Sequence, residues 1–120
     1  MKIVLTATGE VLDSQLDPRF GRAPWFILVD TDSGDIQTVE NSSGVEAEQG
    51  AGVQAAEVVS RLGAQCVVTG HCGPRAFRAL QAAGIEVFTG ASGTVAEAVE
   101  QLKAGALEKA HGPDVVGHWA

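Results

Sequence analysis

Cys66-Val67-Val68-Thr69-Gly70-His71-Cys72-Gly73-Pro74-Arg75-Ala76-Phe77 is the stretch on which the fold turns. Its first four residues form a short apolar run that reads as a buried strand, and from Ala76 onward Ala76, Phe77, Leu80 and Ala83 recur at helical spacing. What lies between is a strand-to-helix loop. Pro74 suits the first helical position, where a missing N–H costs nothing, and Gly70 and Gly73 let the backbone turn tightly and approach a ligand closely. The free N–H groups of a helix start attract anions. Arg75, in the first turn, opposes the helix dipole and calls for a reason. Taken singly, a cysteine or histidine in such a place is more often structural than reactive. Side by side in a glycine-flanked loop at a helix start, His71 and Cys72 become candidates for ligand or catalytic work.

Outward from this loop, both flanks alternate between strand and helix. Residues 2–8 are apolar and β-branched and end at Gly9, as a central first strand would. Residues 24–30 give a second strand and residues 36–40 a third, joined by the turn Asp32-Ser33-Gly34-Asp35 as an antiparallel hairpin. Gly50-Ala51-Gly52 opens a helix continued by Ala55, Ala56, Val58, Val59 and Leu62 and stopped by Gly63. Residues 84–90 give a fifth strand, and Gly93-Thr94 caps a last helix through Val95, Ala98, Val99 and Leu102 that ends near Gly105. The order β-β-β-α-β-α-β-α predicts an α/β fold, a mixed five-stranded sheet with three helices. Residues 1–105 form one domain. Residues 106–120, with His111, His118 and Trp119, read as a disordered or loosely packed tail.

In sheets of this kind ligands bind outside the carboxyl ends of the strands, where the strand order reverses. Here those ends carry three glycine-containing loops, one of them the long stretch from Glu10 to Arg22. A loop of that length without secondary structure of its own is usually functional. Within it Phe20 can anchor the loop to the core, while Gly21 frees the backbone for close approach. Gly50 and Gly52 serve either helix packing or ligand approach; they complete neither a Walker A motif nor GxGxxG after a strand.

The 120 residues include 15 glycines and are 45% apolar but only 5% aromatic, which fits one compact domain rich in small residues. A net charge of −7 argues against nucleic acid or an anionic membrane as a partner, since both are held by clustered Lys and Arg. Yet of the eight basic residues, Arg19, Arg22, Arg75 and Arg78 fall in two glycine-containing segments, a candidate anion pocket in an acidic protein. Each could equally pair with a surface carboxylate. No signal-peptide pattern or long apolar run occurs, so the cytoplasm is the default location. Cys66 lies in a strand and Cys72 beyond its end, too far apart to bridge, so both should be free thiols. No CxxC or HxxxH spacing offers a conventional metal site.

Four motifs in order, Arg19-Phe20-Gly21-Arg22-Ala23-Pro24, Gly50-Ala51-Gly52-Val53-Gln54-Ala55-Ala56, Thr69 to Phe77, and Ala82-Ala83-Gly84-Ile85, resemble the dinitrogenase iron-molybdenum cofactor biosynthesis family over roughly residues 1–105. The resemblance implies a ribonuclease H-like fold and noncatalytic handling of metal-sulfur clusters. Members carry or assemble nitrogenase cofactor precursors, and the orange-protein branch holds a molybdenum-copper sulfide cluster. The implied cargo is a molybdenum-copper sulfide or molybdenum-iron-sulfur cluster, with cluster donor or acceptor proteins as partners. The implied site is Arg19, Phe20, Gly21, Arg22, Gly50, Gly52, Gly70, His71, Cys72, Gly73 and Arg75, with His71 and Cys72 the candidate metal ligands. Many members have His before Phe-Gly-Arg where this chain has Arg19. A permanently protonated guanidinium is no ordinary ligand, so the departure favours a cluster held by charge and hydrogen bonds. The first strand lacks the carboxylates a two-metal nuclease needs. Two other classes fit the same loops: a thiol enzyme using Cys72 with His71, and a regulatory module binding a phosphorylated metabolite.

Overall fold

Strand β1, Lys2–Ala7, is buried along all but its first residue because it is flanked by strands on both edges and helices on both faces. The computed structural model describes residues 1–41 and 51–112. After β1 come β2 (Trp25–Asp30), β3 (Ile36–Glu40), α1 (Ala51–Arg61), β4 (Cys66–Val68), α2 (Pro74–Ala82), β5 (Glu86–Thr89), α3 (Val95–Lys103) and β6 (Glu108–Lys109). The sheet order is β3-β2-β1-β4-β5-β6. β2 runs antiparallel to β1 and to β3, β4 is parallel to β1 and to β5, and β6 is antiparallel to β5.

The period of two along a strand sorts the core. Val4 of β1, with Phe26, Leu28, Val67 and Val87 of its neighbours, faces α1 and α2 and meets Ala55, Ala56, Val59, Ala76, Phe77 and Leu80. Ile3, Leu5 and Ala7, with Ile27, Val29 and Val68, face α3 and meet Val95, Ala98 and Val99. The result is a sheet between two helical layers. The carboxyl ends of β1, β3, β4 and β5 share one rim, since pairing of Ala7 with Trp25 and of Trp25 with Glu40 brings the end of β3 level with the end of β1.

The sheet has six strands, not the expected five. The sixth falls in the stretch read as a loose tail: Phe88 pairs with Lys109 and Thr89 with Glu108, and the Ala110 N–H donates to the Val87 carbonyl at 2.7 Å. Both β6 residues are exposed and charged, so no apolar period announces the strand; backbone pairing at the edge makes it.

Two local devices fix the rim. At the start of α3, the Thr94 hydroxyl accepts the Glu97 N–H at 3.1 Å while the Glu97 carboxylate accepts the Thr94 N–H at 2.9 Å, a reciprocal capping box. Behind β4, a Cβ on Gly70 would lie 2.7 Å from the Pro18 Cα and 3.0 Å from its carbonyl oxygen, so only glycine lets the two loops meet.

Thr94→Ala should lower stability by about 1 kcal/mol in urea unfolding. The Thr94 N–H holds the Glu97 carboxyl below its ordinary value, so its contribution is present above the unfolded pKa and is lost as pH falls through the folded one. Gly70→Ala should cost about 1–3 kcal/mol, because the obstacle is backbone that cannot swing aside. A Gly70→Ala protein as stable as wild type in the same measurement would mean that the loops do not need this contact.

Candidate functional site

Three loops, residues 8–24, 69–73 and 90–94, form the rim, and backbone hydrogen bonds lace them together. Asp17 N–H donates to the Thr6 carbonyl at 2.9 Å, His71 N–H to the Pro18 carbonyl at 2.7 Å, and Phe20 N–H to the His71 carbonyl at 3.3 Å. Arg19 and His71 thereby become partners in an isolated parallel bridge. On the other side, Gly90 N–H donates to the Gly70 carbonyl at 3.1 Å and Leu16 N–H to the Gly93 carbonyl at 2.9 Å. Beneath the junction the buried Thr6 hydroxyl donates to the Asp17 carbonyl at 2.6 Å and lies 2.8 Å from the Thr69 hydroxyl. A hydroxyl has one proton, so Thr69 is the donor in that second contact.

The side chains then divide between rim and core. Arg19 is 47% exposed at its side chain and His71 is half-buried beside it. Phe20 turns inward and packs against Phe26, with ring centroids 6.1 Å apart, so it anchors the loop. Cys72 also turns inward: it is 1% exposed, joins the core cluster containing Phe20, Ala76 and Phe77, and its Sγ lies 3.8 Å from the carbonyl of Gly73. Gly73 is the N-cap of α2 in an extended conformation with no side-chain cap, and Pro74 follows within the first turn. Arg75 and Arg78 are exposed on that helix, and Arg22 is half-buried. Gly21 and Gly52 are buried backbone positions, whereas Gly50, His118 and Trp119 lie outside the described residues. His111 is not brought to the rim. It lines a cavity of about 310 Å³ with Gln81 and Glu86, near the start of β5.

Sequence reasoning passed over Asp17. Its buried carboxylate accepts the Arg19 main-chain N–H at 2.9 Å and the Arg19 guanidinium through Nε and Nη2, each at 3.4 Å. The signal was present: an Asp two residues ahead of a loop residue is well placed to accept that residue's N–H. The pair orients Arg19 and cancels part of its charge. Both cysteines are free, and burial pushes the Cys66 thiol up to about 11. Among the described residues no cluster of three or more His, Cys, Asp or Glu side chains could hold a metal ion. The rim offers instead guanidinium groups, one imidazole and the uncapped N–H groups of a helix start, an arrangement suited to a polyanion.

Comparison with known proteins agrees with this geometry. The apo form of the orange protein from Desulfovibrio gigas superposes with a TM-score of 0.92 at 43% identity, covering 95% of this chain and 96% of that one. A Thermotoga protein described as a NifB candidate, solved by NMR, gives a TM-score of 0.80 at 32% identity, covering 90% and 91%. An uncharacterized protein of Methanocaldococcus jannaschii is 26% identical over 111 residues, 91% of each chain. The family model described as dinitrogenase iron-molybdenum cofactor matches residues 1–105. The chain therefore belongs to the dinitrogenase iron-molybdenum cofactor family.

Proposed function

We propose that this protein binds and carries an anionic, molybdenum-containing metal-sulfide cluster, molybdenum-copper or molybdenum-iron, on a ribonuclease H-like frame, without catalysing a reaction on it. Family membership makes the role cofactor-related. The strand order β3-β2-β1-β4-β5, with only β2 antiparallel among these five, supports the frame. The observation that carries the function is the docking of loop 17–20 on loop 70–71, which sets Arg19 beside His71 at the mouth of an uncapped helix.

Arg19, Arg22 and Arg75 offset the charge of the sulfides, the loop N–H groups donate to them, and His71 is positioned to contact a metal. Gly70 lets Pro18 close against the loop, which holds together the main chain that the cluster would approach. Burial of the Cys72 sulfur supports holding by charge and hydrogen bonds over thiolate ligation. It also counts against the thiol-enzyme alternative, which needs that sulfur within reach of a substrate. Delivery to or from donor and acceptor proteins in the cytoplasm belongs to the same proposal; among the described residues no helix is long and apolar enough to cross a membrane.

Anaerobic purification, or reconstitution with tetrathiomolybdate and copper(I) or iron(II), should yield protein holding stoichiometric molybdenum and acid-labile sulfide with a visible absorption band. Affinity should fall with added salt, as charge-held ligands require. Arg19→Ala should raise the dissociation constant about tenfold, the loss of one charge-assisted contact. Protein that retains neither metal nor sulfide by either route would refute the carrier function. In the apo protein both thiols should react slowly with iodoacetamide at pH 8: Cys66 is about 11 and so only roughly one part in a thousand thiolate, and Cys72 is out of reach. Rapid modification of Cys72 in the folded protein would restore the enzyme alternative.

A further inference from the structure

Asn41 follows β3 directly and stands on the same rim as the docked loops. It is 1% exposed, which is unusual for a side-chain amide. Its main-chain N–H donates to the Pro24 carbonyl at 2.8 Å, continuing the hairpin ladder one step past Glu40. Its Nδ2 donates to two more carbonyls of the same loop, Gly21 at 3.3 Å and Ala23 at 2.8 Å. Two acceptors facing one end of the amide fix its orientation, because a flipped group would set Oδ1 against both. Oδ1 is then left without a hydrogen-bond partner among the described residues. A buried acceptor without a donor is unfavourable. Among the described residues the amide thus uses both N–H groups on one side, while its oxygen on the other meets no donor.

Gly21 and Ala23 bracket Arg22, the half-buried arginine of Phe20-Gly21-Arg22. We infer that Asn41 is a positioning residue of the anion site: its amide grips the peptide on either side of Arg22 and fixes that arginine's backbone at the rim, an inference resting on the cluster-carrier function proposed above. The grip comes from the sheet, since Asn41 is held by β3 and β3 by β2. Groups mounted on regular elements hold a geometry more closely than groups supported by loops alone.

The test is a double-mutant cycle read by anaerobic titration with tetrathiomolybdate and copper(I), followed by visible absorption, for wild type, Asn41→Ala, Arg22→Ala and the double variant. Asn41→Ala should weaken binding about tenfold in the wild-type background and less than about twofold in the Arg22→Ala background, since with the arginine gone nothing is left to position. Equal weakening in both backgrounds, or none in either, overturns the inference. Apo thermal unfolding is followed for each variant. Should Asn41→Ala not fold, Asn41→Ser, which keeps one donor, carries the same cycle with an expected loss of about threefold. If wild-type protein does not bind the thiometallate, the carrier function fails by itself. Amide hydrogen exchange then decides the role of Asn41: removing its side-chain amide should speed exchange at Phe20 and His71 while leaving β1 unchanged, and unchanged exchange at both overturns it.

Discussion

Two backbone hydrogen bonds, His71 N–H to the Pro18 carbonyl and Phe20 N–H to the His71 carbonyl, govern the shape of the rim. They lay residues 18–20 along residues 70–72 as a short extension of the sheet, but only because Gly70 has no Cβ to push Pro18 away. The buried Thr6 and Thr69 hydroxyls support the same junction from below and join the end of β1 to the end of β4 through Asp17. The rim is therefore not three independent loops. It is a continuation of β1 and β4 past their last residues, and it inherits the rigidity of a strand buried on both faces.

That rigidity bears on how an acidic protein would hold the anion proposed for it. With a net charge of −7 the long-range field is repulsive, so attraction must come from groups close to the ligand. Arg19 illustrates the arrangement. Asp17 holds its Nε and one of its terminal nitrogens at 3.4 Å, which restricts the guanidinium and leaves the rest of the group for an incoming acceptor. Part of the charge is spent on that pair, and the gain is orientation. Arg75 stands against its own helix dipole on α2, a placement that a bound anion beside the same helix start would offset.

Much of the fold was legible because strong local signals agreed with one another. The hairpin followed from Asp32-Ser33-Gly34-Asp35 between two β-rich runs, and α3 from Gly93-Thr94 ahead of Val95, Ala98, Val99 and Leu102. β6 was not legible, since two exposed charged residues on an edge carry no pattern. In the site, sequence located the loops but not the direction of each side chain. Cys72, a candidate metal ligand, turns into the core, whereas Phe20 takes the anchoring place that its loop suggested. Asp17 carried a local signal, since it accepts the N–H two residues on, whereas Asn41 was invisible because it donates to backbone far along the chain, a relation fixed only once the strands pair.

The inward turn of Cys72 follows from the same docking. In a parallel bridge neighbouring residues point to opposite sides, so pairing Arg19 with His71 sends that pair one way and Phe20 with Cys72 the other. Bringing the sulfur to the rim would require shifting the register by one residue. That shift would break the His71 and Phe20 hydrogen bonds and expel the Phe20 ring from its place against Phe26. One backbone register therefore serves two ends at once: it places an aromatic ring and a thiol in the core as anchors, and it leaves an arginine and an imidazole on the rim side. For the proposed carrier, metal-sulfide binding on this rim would rest on guanidinium, imidazole and peptide N–H donors, with the buried cysteine holding the loop in the register that presents them.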